Sequence, residues 1–222
     1  TDIERNLAEN IHQCLSFSNI HKTNNPFSYQ EQSSPLPFLT YARQACILPS
    51  LLSKRIQDDI LDDDTQDALL CSSKLDALID LILQRKDNKQ HKIIFCHYRG
   101  EIDFIQKSLS KHNLSVQTFD GRVPQSKREH ILNNPSDVLI LQLKTGCEGL
   151  NLQHFSEVYF VSPHWNPAVE DQAIARCHRL GQDKPVSVFR LNMCDLNDNG
   201  GNNIDQYTLS VQNSKREIME QL

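Results

Sequence analysis

The sequence predicts an α/β protein: a parallel sheet with helices on both faces. Two observations carry this expectation. Short runs, most of them apolar throughout, recur at "KIIFCH" (92–97), "LSVQTF" (114–119), "DVLILQL" (137–143), "EVYFVS" (157–162) and "PVSVFRL" (185–191). Runs without polar alternation fit strands covered on both faces, as parallel strands are. Segments with helical spacing stand between them, and strands alternating with helices at this interval mark crossover units.

The elements follow in order. Residues 1–17 show a helical period, and the Asn-, Ser- and Pro-rich stretch 18–37 reads as a loop. "FLTYARQACILPSLL" (38–52) is an amphipathic helix interrupted at Pro49. The acidic run 58–67 reads as a solvated connection; it lacks the turn and ligand spacing of a metal site. "SSKLDALIDLIL" (72–83) is a helix with a serine cap and apolar positions at Leu75, Leu78, Ile79 and Ile82. Helices are also expected over 101–112, 123–132 (with proline at its start), 170–182 and 204–222, a loop over 144–156, and a flexible break at "NDNGGNN" (197–203). The expected division is a helical lead-in and acidic linker over 1–72, an α/β lobe over 73–191, and a flexible loop with a brace-like C-terminal helix over 192–222.

Composition narrows the function classes. With 222 residues, 38% hydrophobic and 23% charged, the chain suits a soluble fold with a sizeable core. No run of roughly 18 apolar residues occurs, so no membrane partner is expected. The chain opens at Thr1 without a signal peptide, which reads as a fragment of a longer product. Its seven cysteines are scattered without a C-x-x-C pair, arguing for reduced thiols in cytosol or nucleus and against a zinc site. Net charge is −5, but the acid sits at the ends. Residues 91–190 carry 12 basic and 10 acidic side chains, which leaves room for a local cationic groove.

In an open parallel sheet, ligand sites form where strands end. The candidate loops are His97–Gly100, Asp120–Arg122, Lys144–Asn151 and Ser162–Pro167. Gly146 and Gly149 would let backbone N–H groups approach a phosphate, or form a tight structural turn. The loop is not a P-loop, and no Walker B acid pair follows a strand. In "EDQAIARCHRLGQ" (170–182), helical spacing puts Gln172, Arg176 and Arg179 on one side, just beyond the strand ends. Val169, Ala173, Cys177 and Leu180 form a second, buried stripe, and Gly181 takes the left-handed position at the helix end. The arginines are either solvated surface residues or phosphate readers. Trp165, the single tryptophan, is a packing anchor or an aromatic facing nucleic acid. His97, His164 and His178 lie on different elements without ligand spacing, so no metal site is expected.

Taken together, "HKIIFCHYRGEIDFI" (91–105), "FDGRVPQSKREHI" (119–131), "VLILQLKTGCEGLNLQ" (138–153), "VYFVSPHWNPAVEDQAIARCHRLGQ" (158–182) and "PVSVFRL" (185–191) resemble the second RecA-like lobe of SWI/SNF-type DNA translocases, ATPases of helicase superfamily 2. Upstream, "YARQACILPSLL" and "SSKLDALIDLI" resemble the segments leading into that lobe. Gln182, where RNA helicases of the superfamily more typically have arginine, favours the DNA branch.

The resemblance implies a RecA-like fold with helical extensions at both ends. It implies that Arg176 and Arg179 are arginine fingers reaching ATP and Mg held mainly by a first lobe absent from this chain, with Gln172, Gly149 and Asn151 beside the nucleotide. It also implies that His97, Arg99, Arg128, Lys144, Thr145 and Trp165 face DNA. Where relatives often carry a Gly–Gly pair and an apolar residue, this chain has Gly146, Cys147 and Glu148. The expected partners are double-stranded DNA, the first lobe, and nucleosomes or other DNA-bound proteins, in a nuclear setting. The isolated lobe should be nearly inactive. The competing readings are a catalytically silent RecA-like interaction module and a lobe of an RNA helicase.

Overall fold

A computed structural model describes residues 1–13, 36–53, 63–146, 150–193 and 203–221. In chain order the helices are α1 (Asp2–Gln13), α2 (Leu36–Ile47), α3 (Asp63–Leu70), α4 (Ser73–Gln84), α5 (Arg99–Leu109), α6 (Gln125–Asn133), α7 (Leu143–Gly146), α8 (Pro167–Cys177) and α9 (Ile204–Glu220). The strands are β1 (His91–Cys96), β2 (Val116–Phe119), β3 (Val138–Gln142), β4 (Phe155–Phe160) and β5 (Ser187–Arg190). The described residues form two compact units: Thr1–Leu75 with Met193–Tyr207, and Asp76–Asn192 with Thr208–Leu222.

The second unit holds the sheet, in order β2-β3-β1-β4-β5 with every neighbouring pair parallel. The apolar runs become the three central strands, where Ile93 lies opposite both Leu139 and Val158. The edge strands β2 and β5 are half-buried over most of their length. On one face Ile93, Phe95, Leu139, Leu141, Val158 and Phe160 build the core with Ala173 and Cys177 of α8. The Phe95 and Phe160 rings stack at 5.1 Å. β4 starts two residues before the expected run, because Phe155 joins the core and Ser156 is buried with it.

Near β5, the sheet buries charge. Glu157 of β4 is fully buried, and its carboxylate accepts from Arg85 Nε (2.8 Å), Asn88 Nδ2 (2.8 Å) and the Tyr159 hydroxyl (2.8 Å), with Lys92 Nζ at 3.4 Å. The Arg85 guanidinium covers the Phe189 ring at 4.9 Å. Burial alone would raise the Glu157 pKa, but Arg85, Tyr159, Lys92 and Asn88 outweigh it and hold the carboxyl below the usual range.

In the first unit α1 packs on α2 and α3, burying Leu7, Ala8, Ile11, Ala42, Ala45 and Cys46. The acidic run is partly helical rather than a mere connection. From Asp63 it forms α3, with two aspartates in the first turn where the helix dipole favours them and Ala68 buried. The loop expected over 18–37 lies largely outside the described residues, and α2 begins inside its last stretch at Leu36. α4 begins at Ser73, directly after Ser72, and the Ser73 hydroxyl donates to Glu4 Oε2. Lys74 and Asp205 form a buried pair at 2.5 Å, and Asp205 also accepts from Met193 N. His12 bridges two helices in its neutral form: Nδ1 donates to Ala8 O (2.6 Å) and Nε2 accepts from Ile204 N (2.9 Å).

Two predictions follow from the buried charges. Glu157→Ala strands the Lys92 ammonium in the sheet and should lower unfolding free energy by about 3–5 kcal/mol, read by urea denaturation. Burial pushes the His12 pKa below 6.5, with the Ala8 hydrogen bond and Asp205 opposing it only in part. The unfolded ring therefore binds a proton more readily than the folded one. The contribution of the neutral ring is complete above pH 6.5 and is lost as pH falls through the lower folded value. The thermal midpoint should drop on acidification from about pH 7.5 to 5.5, and drop less in His12→Gln.

Candidate functional site

A parallel sheet forces each connection to start at the carboxyl edge and return to the amino edge, so residues close in sequence can end at opposite edges. This separates the candidate residues into two groups.

The carboxyl edge carries His97, Arg99, Lys144 and Trp165. His97 follows β1; its backbone N–H donates to Glu101 Oε2 (2.9 Å), and its Nε2 meets Ser162 O at 3.1 Å. The His97 and His164 rings lie parallel, 6.0 Å apart. Arg99 is the first residue of α5 rather than a loop residue, because the Glu101 carboxylate, accepting also from Tyr98 N (3.0 Å), starts the helix early. Arg99 Nη2 passes close to Gly121, where an added Cβ would meet it at 3.4 Å. Next to it, Arg122 holds the buried Asp120 at 2.6 Å and reaches Asp103 at 2.7 Å. Hydrogen bonds from Arg122 keep the Asp120 pKa low, and Arg99 adds to the effect. Lys144 is exposed on α7, the short helix that replaces the start of the expected loop; Thr145 is in the same turn. Trp165 is half-buried, and its carbonyl accepts from Lys215 Nζ at 2.9 Å. Arg128 stands apart on α6, its guanidinium over the Phe119 ring at 5.5 Å and its Nε donating to Val123 O.

The arginines lie elsewhere. α8 runs back along β4, and its carboxyl end meets the segment that enters β4: Leu152 N donates to Arg176 O at 3.2 Å. Arg176 and Arg179 are thus at the amino edge of the sheet, not just beyond the carboxyl ends of the strands as expected. The single helical stripe also fails. α8 ends at Cys177, and His178 leaves the helical region with φ −91° and ψ 82°. Arg179 belongs to the turn that follows, closed by Gln182 N to Arg179 O at 3.0 Å. Gly181 has φ +97°, the third-position geometry of a type II turn, so its left-handed character is real but serves the turn rather than a helix cap. Leu180, expected in the core, is fully exposed at the turn's tip, whereas Ala173 and Cys177 are buried and Val169 packs against the core.

Gln182 locks this turn. Its Nε2 donates to Gln153 O (2.7 Å) and to Phe155 O (3.3 Å), both on the entry to β4. Asn151 is exposed on the same entry segment, and Gln172 is exposed on α8 one turn before the half-buried Arg176. Gly149 lies outside the described residues. The amino edge thus gathers Asn151, Gln153, Arg176, Arg179 and Gln182. Guanidiniums and amides suit phosphate oxygens, whereas Mg prefers carboxylates and water. Segment 143–153 starts at one edge, with Lys144, and arrives at the other, with Asn151.

Sequence reasoning missed Gln182 as a positioning group and missed Glu170. The latter is a fully buried carboxylate of α8 that accepts from His164 N, Gln212 Nε2 and Arg190 Nε. Its only trace in the sequence is an acid in the first turn of a helix.

Comparison with known proteins adds the following. A family model described as "Helicase conserved C-terminal domain" matches residues 73–181. The "DNA repair protein RAD5A" of Arabidopsis thaliana is 37% identical over 124 residues, covering 54% of this chain and 12% of that protein. The "DNA repair protein RAD5" of Saccharomyces cerevisiae is 34% identical over 162 residues, covering 67% and 13%. The chain therefore spans only about an eighth of these relatives. A solved structure of the C-terminal part of the Fun30 ATPase domain superposes with a TM-score of 0.63 at 18% identity, covering 98% of this chain and 92% of that one. That likeness bears on the fold, which is RecA-like with helical extensions at both ends.

A prediction follows for the turn. Gly181→Ala imposes the left-handed strain and brings a Cβ to 3.4 Å from Gln153 Oε1. Unfolding free energy should fall by roughly 1–2 kcal/mol, measured by chemical denaturation.

Proposed function

The chain belongs to the SWI/SNF-type branch of superfamily 2, as a helicase C-terminal lobe, and from that premise we propose that it is the second motor lobe of an ATP-driven translocase on double-stranded DNA. The observation that carries the proposal is the division of cationic and amide side chains between two edges of one sheet, with Arg99 and Lys144 at one and Arg176, Arg179 and Gln182 at the other. The amino edge meets a nucleotide held by a first lobe, and the carboxyl edge tracks the DNA backbone. The setting is nuclear, in DNA repair or remodelling, on bare duplex, nucleosomes or other DNA-bound proteins.

In ATP hydrolysis, water attacks the γ-phosphorus while the bond to the ADP oxygen breaks. Little covalent work falls to the protein, and catalysis is positioning and charge stabilisation. Arg176 and Arg179 donate hydrogen bonds to the oxygens of the transferring phosphoryl, where negative charge spreads. Arg179 sits on a turn whose backbone is fixed by Gln182, so its guanidinium is presented with little reorganisation at the moment of reaction. Asn151 and Gln172 line the approach. Mg would be held with ATP by the first lobe, where it would supply charge neutralisation, and no residue of this lobe is assigned to it.

His97, Arg99, Lys144, Thr145 and Trp165 form the DNA edge. Arg128 takes part only from its flank, since its guanidinium already packs on Phe119. Contacts of this kind read phosphate rather than sequence and weaken steeply with salt.

In the full-length protein, Arg179→Ala should lower the DNA-stimulated turnover rate by about 10³-fold or more while ATP binding changes little, measured by steady-state hydrolysis and nucleotide titration. Wild-type turnover in that variant would instead favour a silent interaction module. Duplex DNA, not RNA, should stimulate the wild type, and Lys144→Ala should weaken DNA binding alike for unrelated sequences while reducing the salt slope by about one. The lobe alone, mixed with ATP and DNA, should show no multiple turnover.

A further inference from the structure

Glu170 stands at the carboxyl edge of the sheet, yet it is not one of the side chains assigned to DNA or to ATP. It is fully buried in the first turn of α8, and its two carboxylate oxygens are divided among three other segments. Oε1 accepts from His164 N (2.8 Å) in the loop after β4 and from Gln212 Nε2 (2.7 Å) of α9. Oε2 accepts from Arg190 Nε (3.1 Å) at the end of β5, and that guanidinium also covers the Phe160 ring at 5.6 Å. Gln212 then returns a bond to the same loop, donating from Nε2 to His164 O at 2.5 Å. Lys215, nearly one turn further along α9, holds Trp165 O, and Arg216 pairs with Asp171 of α8 at 3.0 Å.

The backbone of the loop carrying Trp165 is therefore held from several sides. His164 is fixed through both N–H and C=O, Trp165 through C=O, and Ser162 through its carbonyl contact with His97. A buried carboxylate with three donors is costly to leave half-satisfied, so this node has one well-defined arrangement. From Glu170, α8 continues for less than two turns to Arg176, a distance of roughly 9 Å at 1.5 Å per residue. Too short to flex appreciably, this segment makes a displacement of the Trp165 loop a displacement of the arginine end.

We propose that Glu170, supported by Gln212, is a positioning residue that makes the Trp165 loop and the arginine end of α8 move as one body, so that contact with DNA is transmitted to the site of hydrolysis. The inference rests on the functional reading above, in which Trp165 faces DNA and Arg176 and Arg179 face ATP. Glu170 itself touches neither. The α9 segment from Thr208 onward is, in this account, part of the motor rather than a trailing extension.

The test uses the full-length protein and compares Glu170→Gln, Gln212→Ala and Arg179→Ala, each checked for folding by thermal melting. Hydrolysis is measured with and without duplex DNA over a range of DNA concentrations. Glu170→Gln keeps the shape of the side chain but loses its charge and one acceptor. It should retain the DNA-free rate within about twofold, while DNA stimulation falls about tenfold and the DNA concentration for half-stimulation rises. Gln212→Ala, which removes a single partner and spares the core, should show the same pattern more weakly. Equal loss of the DNA-free and DNA-stimulated rates in both variants, with half-stimulation unchanged, would make the node merely structural and overturn the proposal. An Arg179→Ala protein with a normal rate would overturn the functional reading itself, a result distinguishable from failure of the coupling.

Discussion

One side-chain amide holds the arginine-bearing turn after α8 in place. Gln182 bonds to two carbonyls on the entry to β4, and Leu152 N bonds back to Arg176 O. Without those bonds the residues after Cys177 would be a free loop at the end of a helix. An arginine on a free loop pays its ordering entropy each time it engages a phosphate. The bonds remove much of that cost in advance and tie the turn that carries Arg179 to the segment that carries Asn151, 28 positions earlier in the chain. The arrangement depends on the parallel sheet, because only a helix returning antiparallel to its preceding strand brings its carboxyl end to where the next chain segment enters.

The central strands were legible because burial on both faces leaves no polar alternation to confuse the pattern. Helical periodicity located α8 but not its end. The apolar stripe continues formally through Leu180, and nothing in the sequence says that His178 leaves the helix or that Leu180 is exposed. Gly181 was recognised as a left-handed position, yet a type II turn and a helix cap ask for the same residue. The motif residues were recognisable as a set, but their distribution between opposite edges was not. Linear spacing does not reveal that Lys144 and Asn151, seven positions apart, stand at opposite edges.

The node at Glu170 was invisible for a different reason. Its donors lie 6 residues upstream and 20 and 42 residues downstream, on elements whose pairing is decided by tertiary packing. The same holds for Glu157, whose partners come from residues 85, 88, 92 and 159. Both are buried carboxylates, and in both the burial penalty is offset by several donors rather than one. Glu157 ties the sheet to the end of α4 and the turn after it. Glu170 ties a helix, a loop and the chain's last helix together at the edge where DNA contact is proposed. Net charge of −5 gives no hint of either, since these acids are internally neutralised while the exposed cations remain at the edges.

The central claim is that the amino edge of this sheet faces the γ-phosphate of ATP bound by a neighbouring lobe. The most direct measurement is a structure of the full-length protein with duplex DNA and a planar phosphate analogue bound beside ADP. The account predicts guanidinium nitrogens of Arg176 and Arg179 at roughly 2.7–3.1 Å from the equatorial atoms of the analogue. Both arginines turned to solvent, with the analogue enclosed by other residues or facing the carboxyl edge, would contradict it.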